Sequence, residues 1–543
     1  MKKCGNTPGS PLAKVRFPYF GLIISTILAF TLTLDGDVAF AQAYTASLTG
    51  VVTDSSGAAI PNVSIMLRNM STEEARTTTS GPDGRYSLVQ LAPATYEIEA
   101  SAKGFKTYDE KNITLLAERA AELNLTLQVG ESSTTISVTA PVIALDTQSA
   151  TQSATLTSTM MTELPMDVRN PLALVLTQAA ATVGIFGPPN APFDQTFSGF
   201  TLKGSRSMGS AILLDGAPDT AADWGGLLVA PSTESVTEMQ VIDNTYDAQF
   251  GKTEGGVVNM VTKSGSSSFH GEVYDFLRND NLDASSWSGN AFTTCDPSLT
   301  KQQCDSLKKP EFKRNQFGFN VGGPMWNSRH LYFFGAYEGL RQPFSTDSGV
   351  QTVPTTAQRN GDFSATYNPD GGLAVIYDPT TTAPDPNNPG QFIRQPVDAS
   401  CVGVKFPNTC AGNIVPSGEI NKVGQAVLNL FPQPNLSGDP ITGENNYRKV
   451  ASGNTLSDRF DARVDWIHNE KHSMYVRWSS RLRQNNNTPD FYGNGAESSA
   501  FKSDKNPGYQ GVWGNTFTPS PNWVLNVLVE SGRWNESQIS PAL

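Results

Sequence analysis

The sequence predicts a mainly β chain: an N-terminal β-sandwich, a mixed α/β segment, and the first part of a transmembrane antiparallel β-barrel. Three observations predict it. Apolar residues recur with period two through most of the chain. After residue 268, seven runs of about ten residues are joined by connections that alternate long and short. The N-terminus carries the three parts of a secretory signal. Charged residues make up 17% of the 543, with 47 Gly and 35 Pro, a balance that suits many strands and turns.

Lys2, Lys3, Lys14 and Arg16 form a positive region, and Phe17 to Leu34 an apolar stretch. Ala39-Phe40-Ala41 then fits small-x-small cleavage, so residues 1–41 are expected to be a signal peptide, removed before Gln42. The alternative is a retained anchor, because the apolar stretch is nearly long enough to span. Cys4 precedes that stretch and cannot be a lipoprotein cysteine. Formal charge is −12 overall and +2 over the first 41 residues, leaving about −14 (−12 less +2) for the rest. An acidic chain without a basic stripe excludes nucleic acid as the expected partner.

Residues 42–130 alternate short strands with turn signals. Ser47 to Thr53 is a strand, Asp54-Ser55-Ser56-Gly57 a turn, and Val63, Ile65 and Leu67 face inward. Gly81-Pro82-Asp83-Gly84 makes a second turn; Tyr96, Ile98 and Ala100, then Leu123, Leu125 and Leu127, continue the alternation. About seven short strands in this pattern make a small antiparallel sandwich. The segment Thr135-Ile136-Ser137-Val138-Thr139-Ala140 is extended, β-branched and uncharged, so it could add as a strand to another sheet's edge. An ordinary linker or a last strand of the sandwich are the other uses of such a string. Met160 to Leu176, broken by prolines, reads as short helices, and 200–206, 211–216 and 236–241 as strands.

The strand candidates beyond residue 268 are 268–277, 313–322, 331–340, 457–467, 472–482, 508–518 and 522–534. Phe460, Ala462, Val464 and Trp466 alternate with Asp461, Arg463 and Asp465; Met474, Val476 and Trp478 alternate with Tyr475, Arg477 and Ser479. Lipid outside and a hydrated lumen inside fit this pattern. Their connections run 278–312, 323–330, 341–456, 468–471, 483–507 and 519–521, the long-short alternation of external loops and periplasmic turns. Seven strands cannot close a single-chain bacterial barrel, which leads to the expectation of a fragment. Cys295 and Cys304, then Cys401 and Cys410, lie in two long connections and are expected to form two local disulfides. Zinc would need closer spacing and nearby His.

Several of these elements carry resemblances. Gly50-Val51-Val52-Thr53-Asp54, Ile60-Pro61-Asn62-Val63, Asp83-Gly84-Arg85-Tyr86, Tyr96 and Gly104-Phe105 resemble the carboxypeptidase regulatory-like (Cna-B-type) domain, with Ala94 where that family usually has Gly. The resemblance implies an accessory, non-catalytic sandwich, sometimes classed with carbohydrate-binding folds. Residues 131–265 contain, in order, Leu164-Pro165 with Arg169-Asn170, Leu213-Leu214-Asp215-Gly216, Val236-Thr237-Glu238, Gly255-Gly256-Val257-Val258-Asn259 and Thr262-Lys263-Ser264-Gly265. These resemble the plug of TonB-dependent outer-membrane receptors in the Oar-like branch. Lys203-Gly204 stands where many plugs have Arg-Gly. Residues 266–543 resemble the Oar-like barrel through Phe269-His270-Gly271, Arg359-Asn360-Gly361-Asp362-Phe363-Ser364 and Asn413-Ile414-Val415-Pro416.

The resemblance implies a receptor in a Gram-negative outer membrane, surrounded by lipid, taking up an extracellular small solute or oligomer. Its coupling partner is the TonB energy-transducing protein, and Thr135 to Ala140 resembles the TonB box it would engage. A surface adhesin or export-associated protein without uptake is the alternative. Catalysis, cofactor and metal are not expected: His468 and His472 stand at i and i+4 with Glu470 between them, but in a hairpin turn rather than a zinc-protease helix.

Overall fold

A computed structural model describes residues 45–539 apart from 118, 131–134, 139–141, 144, 147–151, 167–168, 180, 185–199, 207, 221–225, 245–249, 252, 286, 288–289, 291–299, 310, 326–329, 348–349, 488–502 and 521–522. The chain divides into two compact units, 1–41 and 42–543. The first, with the expected signal peptide and its cleavage site, lies outside the described residues. All the described residues belong to the second.

The sandwich is built from β1 (Ala46–Asp54), β2 (Ser64–Asn69), β3 (Ala75–Thr79), β4 (Arg85–Leu91), β5 (Ala94–Ser101), β6 (Thr107–Leu115), β7 (Ala120–Glu122) and β8 (Leu125–Leu127). One sheet has β4, β1 and β7 in order with β8 also on β1; the other runs β3-β2-β5-β6. Period-two alternation sends Leu48, Val52, Ile65, Leu67, Ile98 and Leu125 into the shared core, all fully buried. In the β1 turn Asp54 accepts from the Ser56 and Ala58 amides, and Gly57 takes a φ of 88°.

Three further short strands follow: β9 (Thr135–Val138), β10 (Val142–Ile143) and β11 (Leu145–Asp146). The first two lie parallel on the β6 edge, and the third lies antiparallel on the β7 edge of the opposite sheet. The connecting segment thus straps the two sheets together.

The chain then enters a second core. Its sheet is made of β12 (Gln152–Thr157), β15 (Ala211–Leu214), β16 (Ala217–Pro218), β17 (Val236–Asn244) and β18 (Val257–Thr262), in the order β12-β17-β18-β15-β16; β13 (Ala181–Val183) pairs separately with β14 (Phe200–Leu202). The expected helical stretch is a short helix, Ser158–Glu163, and a 3-10 turn, Pro171–Thr177, started by Asn170 and its following proline. Every side chain of β18 is buried because β18 is a central strand covered on both faces.

The wall around this core comprises β19 (His270–Asn279), β20 (Lys313–Pro324), β21 (Leu331–Asp347), β24 (Val450–Asn469), β25 (His472–Asn487), β26 (Ser503–Ser520), β27 (Trp523–Trp534) and the short β28 (Ser537–Ile539). Consecutive strands pair antiparallel from β19 to β27, with β28 on β26. All seven expected strands are present, and most run longer than their sequence bounds, because pairing in the long connections continues past the apolar pattern. Among the described residues the sheet is an open arc from β19 to β27. Its outer face is apolar, with Phe460 and Trp478 each 45% exposed, whereas Arg477 on the inner face is 1% exposed. That inversion is the signature of a lipid-facing surface and not of a soluble sandwich. The polar inner face, read as lining a hydrated lumen, packs at β24 and β25 on the second core.

One long connection, between β21 and β24, folds on itself and includes β22 (Ala383–Pro384) and β23 (Phe392–Ile393). Gln351 and Tyr447 exchange backbone hydrogen bonds at its neck. Cys401 and Cys410 are joined in a disulfide with Cα atoms 5.5 Å apart, inside a small core with Tyr367 and Leu373.

The sandwich sits against the opposite, short-turn rim. Thr77 Oγ1 donates to Glu470 Oε2 at 3.1 Å, Tyr332 donates its hydroxyl to the Thr72 carbonyl at 2.9 Å, and the Ser267 amide donates to the Ser71 carbonyl at 2.9 Å.

Candidate functional site

Two arrangements join the rim to the interior: the contact of the inner core with its wall, and the strap that leads into that core.

Period two places Arg459, Asp461, Arg463 and Asp465 of β24 on the inner face, with Arg477, Ser479 and Arg481 of β25 beside them. The register sets Arg463 directly opposite Arg477 and Arg459 directly opposite Arg481. Like charges in facing positions repel, and the wall offsets part of this itself: Asp465 of β24 meets Arg463 at 2.8 Å and Glu338 of β21 lies 3.9 Å from Arg459. The inner core supplies a further anion. Leu214-Asp215-Gly216-Ala217 closes a two-residue hairpin between β15 and β16, with Asp215 at φ 54° and Gly216 at φ 75°. The turn delivers the Asp215 carboxylate, 0% exposed, between the two guanidiniums: 3.1 Å from Arg463 Nη1 and 2.9 Å from Arg477 Nε.

Asp215 is itself fixed from within the core. Thr262, at the end of β18, donates its amide (2.8 Å) and its hydroxyl (2.7 Å) to the same carboxylate. The parallel pairing of β15 with β18 makes this possible by bringing the Leu-Leu-Asp-Gly and Val-Val-Asn-Met-Val-Thr segments side by side. Core carbonyls serve the other arginines: Arg459 donates to Pro231 O at 2.7 Å, Arg481 to Leu227 O at 2.9 Å, and Arg477 to Leu214 O at 3.2 Å. Tyr475 donates its hydroxyl to Asp215 O at 3.2 Å, with the Arg463 guanidinium 4.5 Å over its ring. Arg169, in the loop before the Pro171–Thr177 turn, pairs with the buried Glu234 and lies 4.0 Å over the Phe276 ring of β19.

Sequence reading missed this latch. Alternation placed the arginines on the inner face, and the Asp-Gly pair announced a tight turn. Nothing in the spacing says that a turn some 250 residues upstream enters between two strands.

The strap begins at the candidate strand-adding segment. Thr135, Ile136, Ser137 and Val138 pair in parallel with Thr107, Tyr108, Asp109 and Glu110; Thr139 and Ala140 lie outside the described residues. In this structure the segment is therefore an edge strand of the sandwich. Beyond β11 the chain passes into β12, the edge strand of the inner sheet, which pairs antiparallel with β17. Ala117 and Arg119 of the sandwich touch the same sheet: the Ala117 amide donates to Glu238 Oε1 at 2.6 Å, and Arg119 reaches Thr155 Oγ1 at 3.3 Å.

Burial pushes the Glu238 carboxyl up to about 7, with the Ala117 amide and Arg119 pulling the other way. A carboxyl whose folded pKa lies above its unfolded value contributes stability at low pH that is lost as pH rises through about 7. The melting temperature of the full chain is expected to fall between about pH 4.5 and pH 7, and Glu238→Gln to flatten that fall. Asp219, pushed up to about 8 by burial, contributes to both proteins and cancels in the difference. Parallel melting profiles for the two proteins would sink the assignment.

Of the four candidate cysteines, Cys401 and Cys410 are bonded as above, Cys304 lies in the helix Lys301–Lys308, and Cys295 lies outside the described residues. Asp398 comes close to the Cys401–Cys410 sulfurs, but disulfide sulfurs are not thiolates, and Asp398 already accepts from the Ser400 amide and hydroxyl. His468 and His472 face each other across the β24–β25 turn with ring centroids 5.8 Å apart, and His472 Nε2 contacts Asn515 Oδ1 at 2.7 Å.

The geometry agrees with the comparisons to known proteins. The outer membrane beta barrel domain family matches residues 261–542, and the carboxypeptidase regulatory-like domain matches residues 47–128. The chain is similar to the TonB-dependent transporter Oar of Myxococcus xanthus, 23% identical over 316 residues, which are 56% of this chain and 27% of that relative's length. Among solved structures, the outer membrane transporter YddB of Escherichia coli is 10% identical over 70% of this chain and 38% of its own, with a TM-score of 0.40. A mutant of the ferric enterobactin receptor PfeA of Pseudomonas aeruginosa is 11% identical over 72% and 41%, with a TM-score of 0.36.

Proposed function

The chain belongs to the outer membrane β-barrel domain family, and from that premise we propose that it is a TonB-dependent receptor for active uptake of an extracellular solute. The observation that carries the proposal is positional. An open barrel wall is held to the inner core through Asp215, and the extended segment on the rim-side sandwich leads through β10 and β11 to the edge strand of that core. Short turns mark the periplasmic end of an outer-membrane barrel, where an energised partner can reach this segment.

In this reading the second core is the plug and Thr135 to Ala140 the coupling segment. The partner takes it by strand addition, through backbone hydrogen bonds. Tension then acts on β12, an edge strand held on one side only, and through β17 on the plug sheet. Loss of the Asp215 contacts frees the plug from the wall. The long connections at the other rim, including the disulfide-closed module, face the solute. The chain works as a conduit, without catalysis or cofactor.

Ile136→Pro tests the coupling segment. Proline removes a backbone donor and resists incorporation into a strand ladder. Binding of the purified periplasmic domain of TonB to the full chain in detergent micelles is expected to weaken at least about tenfold, the equivalent of about 1.4 kcal/mol. Unchanged binding would remove segment 135–140 from the mechanism.

A further inference from the structure

The segment proposed to couple the receptor is already engaged as a strand. β9 lies parallel on β6, β10 continues along the same edge, and β11 crosses to β7 of the opposite sheet. We propose that the N-terminal sandwich is a strand-capture module: its β6 edge holds the coupling segment in the resting receptor, in competition with the sheet edge of the energised partner. This rests on the coupling role proposed above.

Three features support capture over a passive linker. The pairing is in register over all four residues of β9, from Thr107–Thr135 to Glu110–Val138. The ladders are short (four, two and two residues), so each can be opened without unfolding the sandwich, whose core is formed by other strands. Finally, the sandwich is fastened independently to the plug sheet and the barrel rim through Ala117–Glu238, Thr72–Tyr332 and Ser71–Ser267. Peeling the strap away can therefore leave the module in place to take the strand back. Both the β6 edge and a partner's edge would satisfy the same backbone groups, so gains on one side are losses on the other. The module thereby sets a threshold for coupling.

Asp109 and Ser137 are Cα partners across the β6–β9 ladder, within the separation that a disulfide spans. The full chain carrying Asp109→Cys and Ser137→Cys, in detergent micelles, is titrated with the purified periplasmic domain of TonB, oxidised and then reduced. The unsubstituted chain under both conditions controls for the native disulfides. Capture predicts at least a tenfold loss of affinity on oxidation, fully recovered on reduction. Equal affinity in both states, with Ile136→Pro still weakening binding at least about tenfold, overturns capture and leaves the coupling segment intact. Equal affinity for Ile136→Pro and the unsubstituted chain overturns both readings. Amide exchange at 135–138 supplies a second readout: capture predicts protection without the partner, and free-peptide exchange rates there overturn it.

Discussion

Asp215→Asn is expected to release the plug from the barrel wall while leaving the wall itself assembled. Asparagine tolerates the left-handed backbone at this position, where Asp215 has φ 54°, so the turn survives while the charge is lost and one acceptor oxygen becomes a donor. Arg477 and Arg463, the latter still paired with Asp465 of its own strand, then face each other, buried, without the Asp215 carboxylate between them. Removing one partner from a buried ion network costs about 3–5 kcal/mol. Amides of β15 and β18 in the full chain are expected to lose protection by roughly two to three orders of magnitude. Those of β25 and β26 should change far less, since their ladders do not depend on the plug. Uniform loss of protection throughout would mean that Asp215 stabilises the fold as a whole and is no latch. Arg463→Gln added to Asp215→Asn should recover part of the loss, because it removes one of the two facing charges.

The second large effect is expected far from the plug, at Arg359. This side chain is 5% exposed and donates to four main-chain carbonyls: Pro354 at 3.0 Å, Leu428 at 2.7 Å, Phe431 at 2.9 Å, and Pro432. It projects from a one-turn helix closed by a capping box between Thr355 and Gln358. Burial lowers its pKa from the usual guanidinium value, yet it stays charged at any physiological pH. Arg359→Met fills part of the space and supplies no donor, leaving carbonyls of the 428–432 segment without their partner. Hydrogen bonds to a charged group contribute roughly 1.5–3 kcal/mol each and do not add simply, so a loss of about 3 kcal/mol or more is expected. Protease cleavage within 428–432, on intact cells displaying the chain, should rise about a hundredfold. The Cys401–Cys410 core lies in another part of the same module and should keep its disulfide. Resistance equal to that of the unsubstituted protein would show that the neck bridge and the disulfide suffice.

Much of this architecture was legible because local rules decide it. Strand 472–482 could be read from Met474, Val476 and Trp478 alternating with Tyr475, Arg477 and Ser479, and it forms as β25. The turn at Glu470–Lys471 was legible from the break between two such runs, and with it the rejection of a zinc-protease helix at His468 and His472. Two expectations changed in the structure. The sandwich has eight strands of its own where about seven were expected, since its C-terminal end is divided between two three-residue strands, β7 and β8. The inner face of β24 and β25 is covered by the second core, since a polar inward face reads the same whether water or a plug lies against it.

The sequence alone determined the class of the chain, the alternation that turns apolar side chains outward, and the export and coupling segments as expectations. These follow from neighbours two residues apart and from connection lengths, both of which are properties of the linear chain. Only the tertiary structure decided where Asp215 goes, that Arg463 and Arg477 need it, and that Thr135 to Val138 rest on β6. Those contacts join residues far apart in sequence, and their energy depends on register and burial, which no local pattern encodes.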